Sequence, residues 1–254
     1  MILIHRISPF ILALILALGM YVIVFTSFQP VGMALGMIVL SFFILARLLK
    51  FEVRTFQFWN FVLTPLLFLI ASLGMIFFLE QSFTIWLIAG LSTALLLLYA
   101  EYVFQYIHLP ATYQPYSLEY LSLLLNLLTV FFLSAVGFGL VLLVQISLGL
   151  VSIVALCCFI FLIYGTFWVS KAHESKMKPY TLGGSFLMTE LFIAISFLPT
   201  SYFTSAALMT VLFYLFIGLT RAHVLRTLST PMIKHYLITS SVLLLAIIFS
   251  SQWL

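Results

Sequence analysis

Long apolar runs separated by short polar punctuation set the pattern of this chain, with breaks at Gln29-Pro30, Glu80-Gln81-Ser82, Gln145 to Gly149 and Pro199-Thr200-Ser201. A helix rising 1.5 Å per residue needs about 20 apolar residues to cross a hydrocarbon core about 30 Å thick. The runs therefore predict about nine transmembrane helices, at about 8–26, 31–48, 58–79, 83–104, 118–143, 147–169, 182–198, 203–219 and 236–250. Together they form a single transmembrane domain over 1–254, an all-α polytopic integral membrane bundle. His5 and Arg6 before the first run imitate a signal peptide. No small-x-small cleavage site follows, and a second span comes at once, so the first run is expected to be an uncleaved helix. Gly32 and Gly36 have the spacing that lets two membrane helices approach closely.

Composition sharpens the class. Apolar residues make up 65% of the chain and charged residues 6%, where soluble domains carry about a quarter charged. The mean hydropathy is +1.31. No soluble domain fits beside the spans. All 6 acids are Glu, which removes metal and phosphate chemistries built on Asp motifs. The 2 cysteines, Cys157 and Cys158, are adjacent inside an apolar run and form no disulfide framework.

The formal charge of +4 is explained by topology rather than by nucleic acid, which is not an expected partner. With nine spans, Arg6, Arg47, Lys50, Arg54, Lys171, Lys176, Lys178, Arg221, Arg226 and Lys234 all fall on one face. These are all 10 of the basic residues, and the 5 histidines share their face. The positive-inside rule makes that face cytoplasmic, with the N-terminus inside and the C-terminus outside, as in the cytoplasmic membrane of a prokaryote.

One spacing recurs. Tyr99 precedes His108, Tyr164 precedes His173 and Tyr214 precedes His223, each by nine positions. Lys171-Ala172-His173 and Lys176 also match Arg221-Ala222-His223 and Arg226. Random placement of 12 Tyr and 5 His would give only roughly a quarter of one such pair, so an internal repeat is inferred. Each copy closes an even-numbered helix. The unit is then a hairpin, repeated three times in tandem and in parallel about an axis along the membrane normal. Thr64 and Thr129 stand thirty-five residues before Tyr99 and Tyr164, and Thr189 twenty-five before Tyr214.

Candidate chemistry is sparse. Glu190 lies ten or eleven residues past Pro179-Tyr180, about 15 Å into the membrane, where an unpaired carboxylate costs several kcal/mol. Asn126, at similar depth in the fifth helix, is the expected partner, with Thr129 and Thr64 as further neutral candidates. The pair reads either as a proton or cation site or as a protonated carboxyl fastening two helices.

On a helix, seven residues return to the same face. Tyr164 with Lys171, and Tyr214 with Arg221, then form interfacial anchors, and Tyr99 belongs with them. Nine residues place each His opposite its Tyr, so His108, His173 and His223 are candidates for a cytoplasmic-face cluster, with a divalent metal or a pH response as its chemistry. The alternative is three separate interfacial histidines. Glu101, near the end of the fourth helix, is expected to find a basic neighbour. Glu119 begins the fifth helix, where the dipole favours an acid.

No phosphate loop, HExxH, Gly-x-Ser-x-Gly or intramembrane Lys is present, and no cofactor is expected. Three functions follow in order. The first is a non-enzymatic membrane component associating with other membrane subunits, with itself or with lipid. The second is a small transporter or channel using Glu190 and Asn126. The third is an intramembrane lipid-modifying enzyme built on Glu101, the histidines and the tyrosine-rich loop.

Overall fold

The computed structural model describes residues 2–25, 29–111, 113–171 and 174–251, with side chains for all of these except 2–5 and 174–176. The described residues form nine helices and no strand: α1 (Ile2–Phe25), α2 (Pro30–Leu48), α3 (Phe56–Phe77), α4 (Ser82–His108), α5 (Ser117–Leu142), α6 (Leu148–Val169), α7 (Glu174–Ser196), α8 (Tyr202–Val224) and α9 (Thr230–Ser250). Eight of them are long and apolar enough to cross a membrane. The exception is α7, whose hydropathy is lowered by Lys178, Thr181, Ser185, Thr189 and Glu190. The chain is an all-helical polytopic membrane protein.

Helix ends are made by ordinary local chemistry. The Thr55 and Ser201 hydroxyls accept from the backbone N–H of Phe58 and Thr204, capping α3 and α8. Pro30 and Pro231 open α2 and α9, where a missing N–H is harmless. At the far ends of α2 and α8, Lys50 and Arg226 take left-handed φ angles of 54° and 57°. One residue further on, Phe51 and Thr227 reach back to the carbonyls of Ala46 and Ala222, each at 2.9 Å. This satisfies late carbonyls and puts a cation at the negative end of the helix.

The boundaries differ from the hydropathic expectation in one consistent way. Helix α1 begins at Ile2 rather than Ser8, and α4 ends at His108 rather than Phe104. Helix α7 begins at Glu174 rather than Leu182, α8 ends at Val224 rather than Leu219, and α9 begins at Thr230 rather than Tyr236. All five ends carry Lys, Arg, Glu or His. A helix satisfies its own backbone in water as in lipid, so it continues past the point where apolar side chains stop. Hydropathy locates the edge of the apolar belt, not the last helical turn.

The chain divides into two compact units, Met1–Leu125 and Asn126–Leu254. In the first, α1 packs on α2 and α4, and α3 packs on α2 and α4. The apolar window of α3 is 72% buried. In the second, α6, α7, α8 and α9 pack in chain order. Phe138 of α5 stacks on Phe192 of α7, with centroids 4.3 Å apart and planes at 15°. The Phe216 ring of α8 lies on the bare backbone of Gly184, and the Tyr236 ring of α9 on that of Gly218, each in the space a Cβ would take. Helix α9 is the least covered, at 6% of its window.

Candidate intramembrane polar site

A polar side chain among apolar ones must find a hydrogen bond or lose several kcal/mol. Helix α7 shows two answers on its two faces. Thr181, Ser185 and Thr189 are buried, and each hydroxyl donates to the carbonyl four residues back, on Met177, Thr181 and Ser185, at 2.7, 2.6 and 2.8 Å. They share the inner face with Gly184, Met188, Phe192 and Ile195. The opposite face, formed by Leu182, Gly183, Phe186, Leu187, Glu190 and Ala194, is exposed.

Glu190 is thus an outward-facing acid. It stands seven residues after Gly183 on the same face and six before the helix end at Ser196, about 9 Å by helical rise. Phe186 and Leu187, one turn earlier, are 57% and 44% exposed. Among the described residues no hydrogen bond reaches the Glu190 carboxyl.

Asn126 has a different fate. It is buried on α5, and its Nδ2 donates to the Thr166 hydroxyl of α6 at 2.9 Å. Thr166 in turn donates to the Leu162 carbonyl at 2.7 Å. Asn126 Oδ1 is buried with no hydrogen-bond partner. The expected pairing of Glu190 with Asn126 is therefore corrected: the two share no hydrogen bond. Depth along a helix places two residues at one level but says nothing about the direction in which each points. A sequence signal for that direction was present in Thr181, Ser185 and Thr189, a one-turn stripe that marks the inner face of α7. Thr129 is buried on α5. In the first unit, Thr64 donates to the Oδ1 of Asn60 at 3.4 Å. Asn60, which sequence reasoning missed, is 1% exposed, and its Nδ2 has no partner.

The remaining candidates lie near helix ends. In the first unit, Glu101 accepts from Gln105 Nε2 of its own helix at 3.2 Å, while its Oε2 is buried without a hydrogen bond. Among the described residues the hydrogen-bonded neighbour is this amide. His108 is the last residue of α4 and stacks on Phe104, with centroids 5.1 Å apart. In the loop before α5, the Tyr113 hydroxyl accepts from the Leu118 N–H at 3.2 Å and so satisfies one early donor of that helix. Burial raises the pKa of this phenol above its ordinary value, the Leu118 bond opposes the shift, and Glu119 adds to it.

In the second unit, His223 is exposed and lies beside Tyr180, with ring centroids 5.8 Å apart. His173 lies outside the described residues, and with it the three-histidine cluster. Tyr99 is 0% exposed, so it cannot be a lipid-facing anchor. Tyr164 is half-buried, but α6 ends at Val169, and Lys171 follows with a left-handed φ of 55°. The shared-face argument therefore fails for that pair. On α8, Tyr214 packs on Tyr236 at 5.3 Å and Arg221 is half-buried.

No family model, no curated protein and no solved structure matches the chain.

Proposed function

We propose that the protein is a non-enzymatic membrane component that works by lateral association. The outward face of α7 docks a transmembrane helix of another subunit, which presents a hydrogen-bond donor to Glu190. One observation carries this: Glu190 faces outward from α7 among Phe186, Leu187 and Ala194, and among the described residues no hydrogen bond reaches it. Facing lipid, an ionised Glu190 would lose up to about 3 kcal/mol on insertion scales, and a protonated one would still leave its O–H unsatisfied. A donor from a neighbouring helix removes that loss. Gly183, with open space where its Cβ would be, lets a backbone come close on the same face.

Aligning the three hairpins on Thr64, Thr129 and Thr189 puts Pro65 and Val130 where the third has Glu190, so the acid belongs to the third hairpin alone. On the topology read from the basic residues, α7 enters from the cytoplasmic side.

Gentle extraction tests the proposal. The wild-type protein is expected to leave the membrane in a complex larger than a monomer, and Glu190→Leu to release a folded monomer. A monodisperse wild-type monomer, or a Glu190→Leu protein still in the same complex, would reject association through α7.

A further inference from the structure

A cavity of about 160 Å³ opens between α5 and α6 in the second unit. Its walls include Val130, Ser134 and Gly137 of α5, Ala155 and Cys158 of α6, and Phe192 of α7. The sequence creates this space by placing small residues where the two helices face each other. At Gly137 a Cβ would come within 3.0 Å of the Phe192 ring. Phe192 does not fill the gap, because its ring is held flat against Phe138.

We infer that this cavity is an acyl-chain site, occupied by the hydrocarbon tail of a membrane phospholipid. Three occupants are set aside on physical grounds. Water requires two to four polar partners, whereas the lining is almost wholly apolar, with the Ser134 hydroxyl and the Cys158 thiol as the exceptions. A partner helix about 10 Å across cannot enter such a volume. A polar headgroup would be stripped of its hydrogen bonds.

What remains is a thin apolar chain. An apolar cavity of about 150 Å³ stays dry and binds benzene, so this one takes about six carbons. Its α5 wall runs from Val130 to Leu140, about 15 Å by helical rise, and it reaches Ile146 and Leu150 beside the α5–α6 turn. Leu150 and Val154, which also line it, are 59% and 54% exposed, so its rim meets the surrounding medium. In a chain whose helices cross a bilayer, that medium is lipid tails, and a tail that enters regains the dispersion contacts the walls lack.

The test uses the full chain in phosphatidylcholine vesicles in which a fraction of the lipid carries a diazirine near the end of one acyl chain. Mapping the photoproducts is expected to place at least several-fold more label on Cys158 and Leu162 than on Ile153, which is 65% exposed on the same helix. Ala155→Leu, which fills the space, should lower that label about ten-fold while leaving Ile238 and Val242 of α9 labelled as before. Ser134→Leu serves the same purpose if Ala155→Leu does not fold. Equal label on Cys158 and Ile153 in the wild-type protein would overturn the inference, as would cavity label that survives filling.

Discussion

Asn126 and Glu190 were placed at one depth by the sequence, yet the second unit treats them in opposite ways. Asn126 points inward and joins α5 to α6 through Thr166. Glu190 points outward from α7 among exposed apolar side chains. An inward amide is a fastening inside one chain. On the proposed reading, the outward acid is completed by a donor from another subunit. Depth in the membrane separates polar residues less well than direction does, and the proposal gives the first a structural role and the second a role in association.

Substitutions should divide along the same line. Removing the acid has the largest expected effect, and its sign is unusual: Glu190→Leu should stabilise the separated protein by up to about 3 kcal/mol, the insertion cost of a charge at mid-span, which its place nearer the helix end reduces. Reversible unfolding in mixed micelles measures this, and a destabilisation would mean that Glu190 is bonded within its own chain. The neighbouring glycines come next. Gly184→Ala forces the Phe216 ring from its seat and should destabilise by about 2 kcal/mol. Gly183→Ala has open space before it and should change stability by less than about 0.5 kcal/mol while still weakening association. Equal losses at the two would erase the distinction between the faces. Smallest is Asn126→Leu, expected to destabilise by about 1 kcal/mol, because Thr166 keeps its bond to Leu162 and no donor is stranded. A change of association state in that variant would break the contrast.

Much of the architecture was legible in the chain. The 16 residues from Val31 to Ala46, apolar apart from Ser41, read as a span, and the helix there runs from Pro30 to Leu48. Charged ends, as at Glu174, extend beyond the hydropathic span, because hydropathy senses the solvent around a side chain and not the backbone bond that makes the helix. The site was half legible. Glu190 stands out by its cost, but depth alone does not identify a partner, whereas the stripe of Thr181, Ser185 and Thr189 marks the inner face that Glu190 does not share. Tyr99 shows the same limit: its spacing to His108 resembled that of Tyr214 to His223, yet Tyr99 is fully buried and Tyr214 is not. The cavity between α5 and α6 left no trace in the sequence beyond small residues, since a void is a property of what fails to meet.

The most direct test compares two outward positions in the native membrane, Leu187 on the Glu190 face of α7 and Ile153 on α6, both exposed. A photoreactive amino acid at Leu187 should capture a protein partner, lose it when Glu190→Leu is added, and leave only lipid adducts at Ile153. Lipid adducts alone at both positions, or the same protein captured from both, would contradict docking through α7.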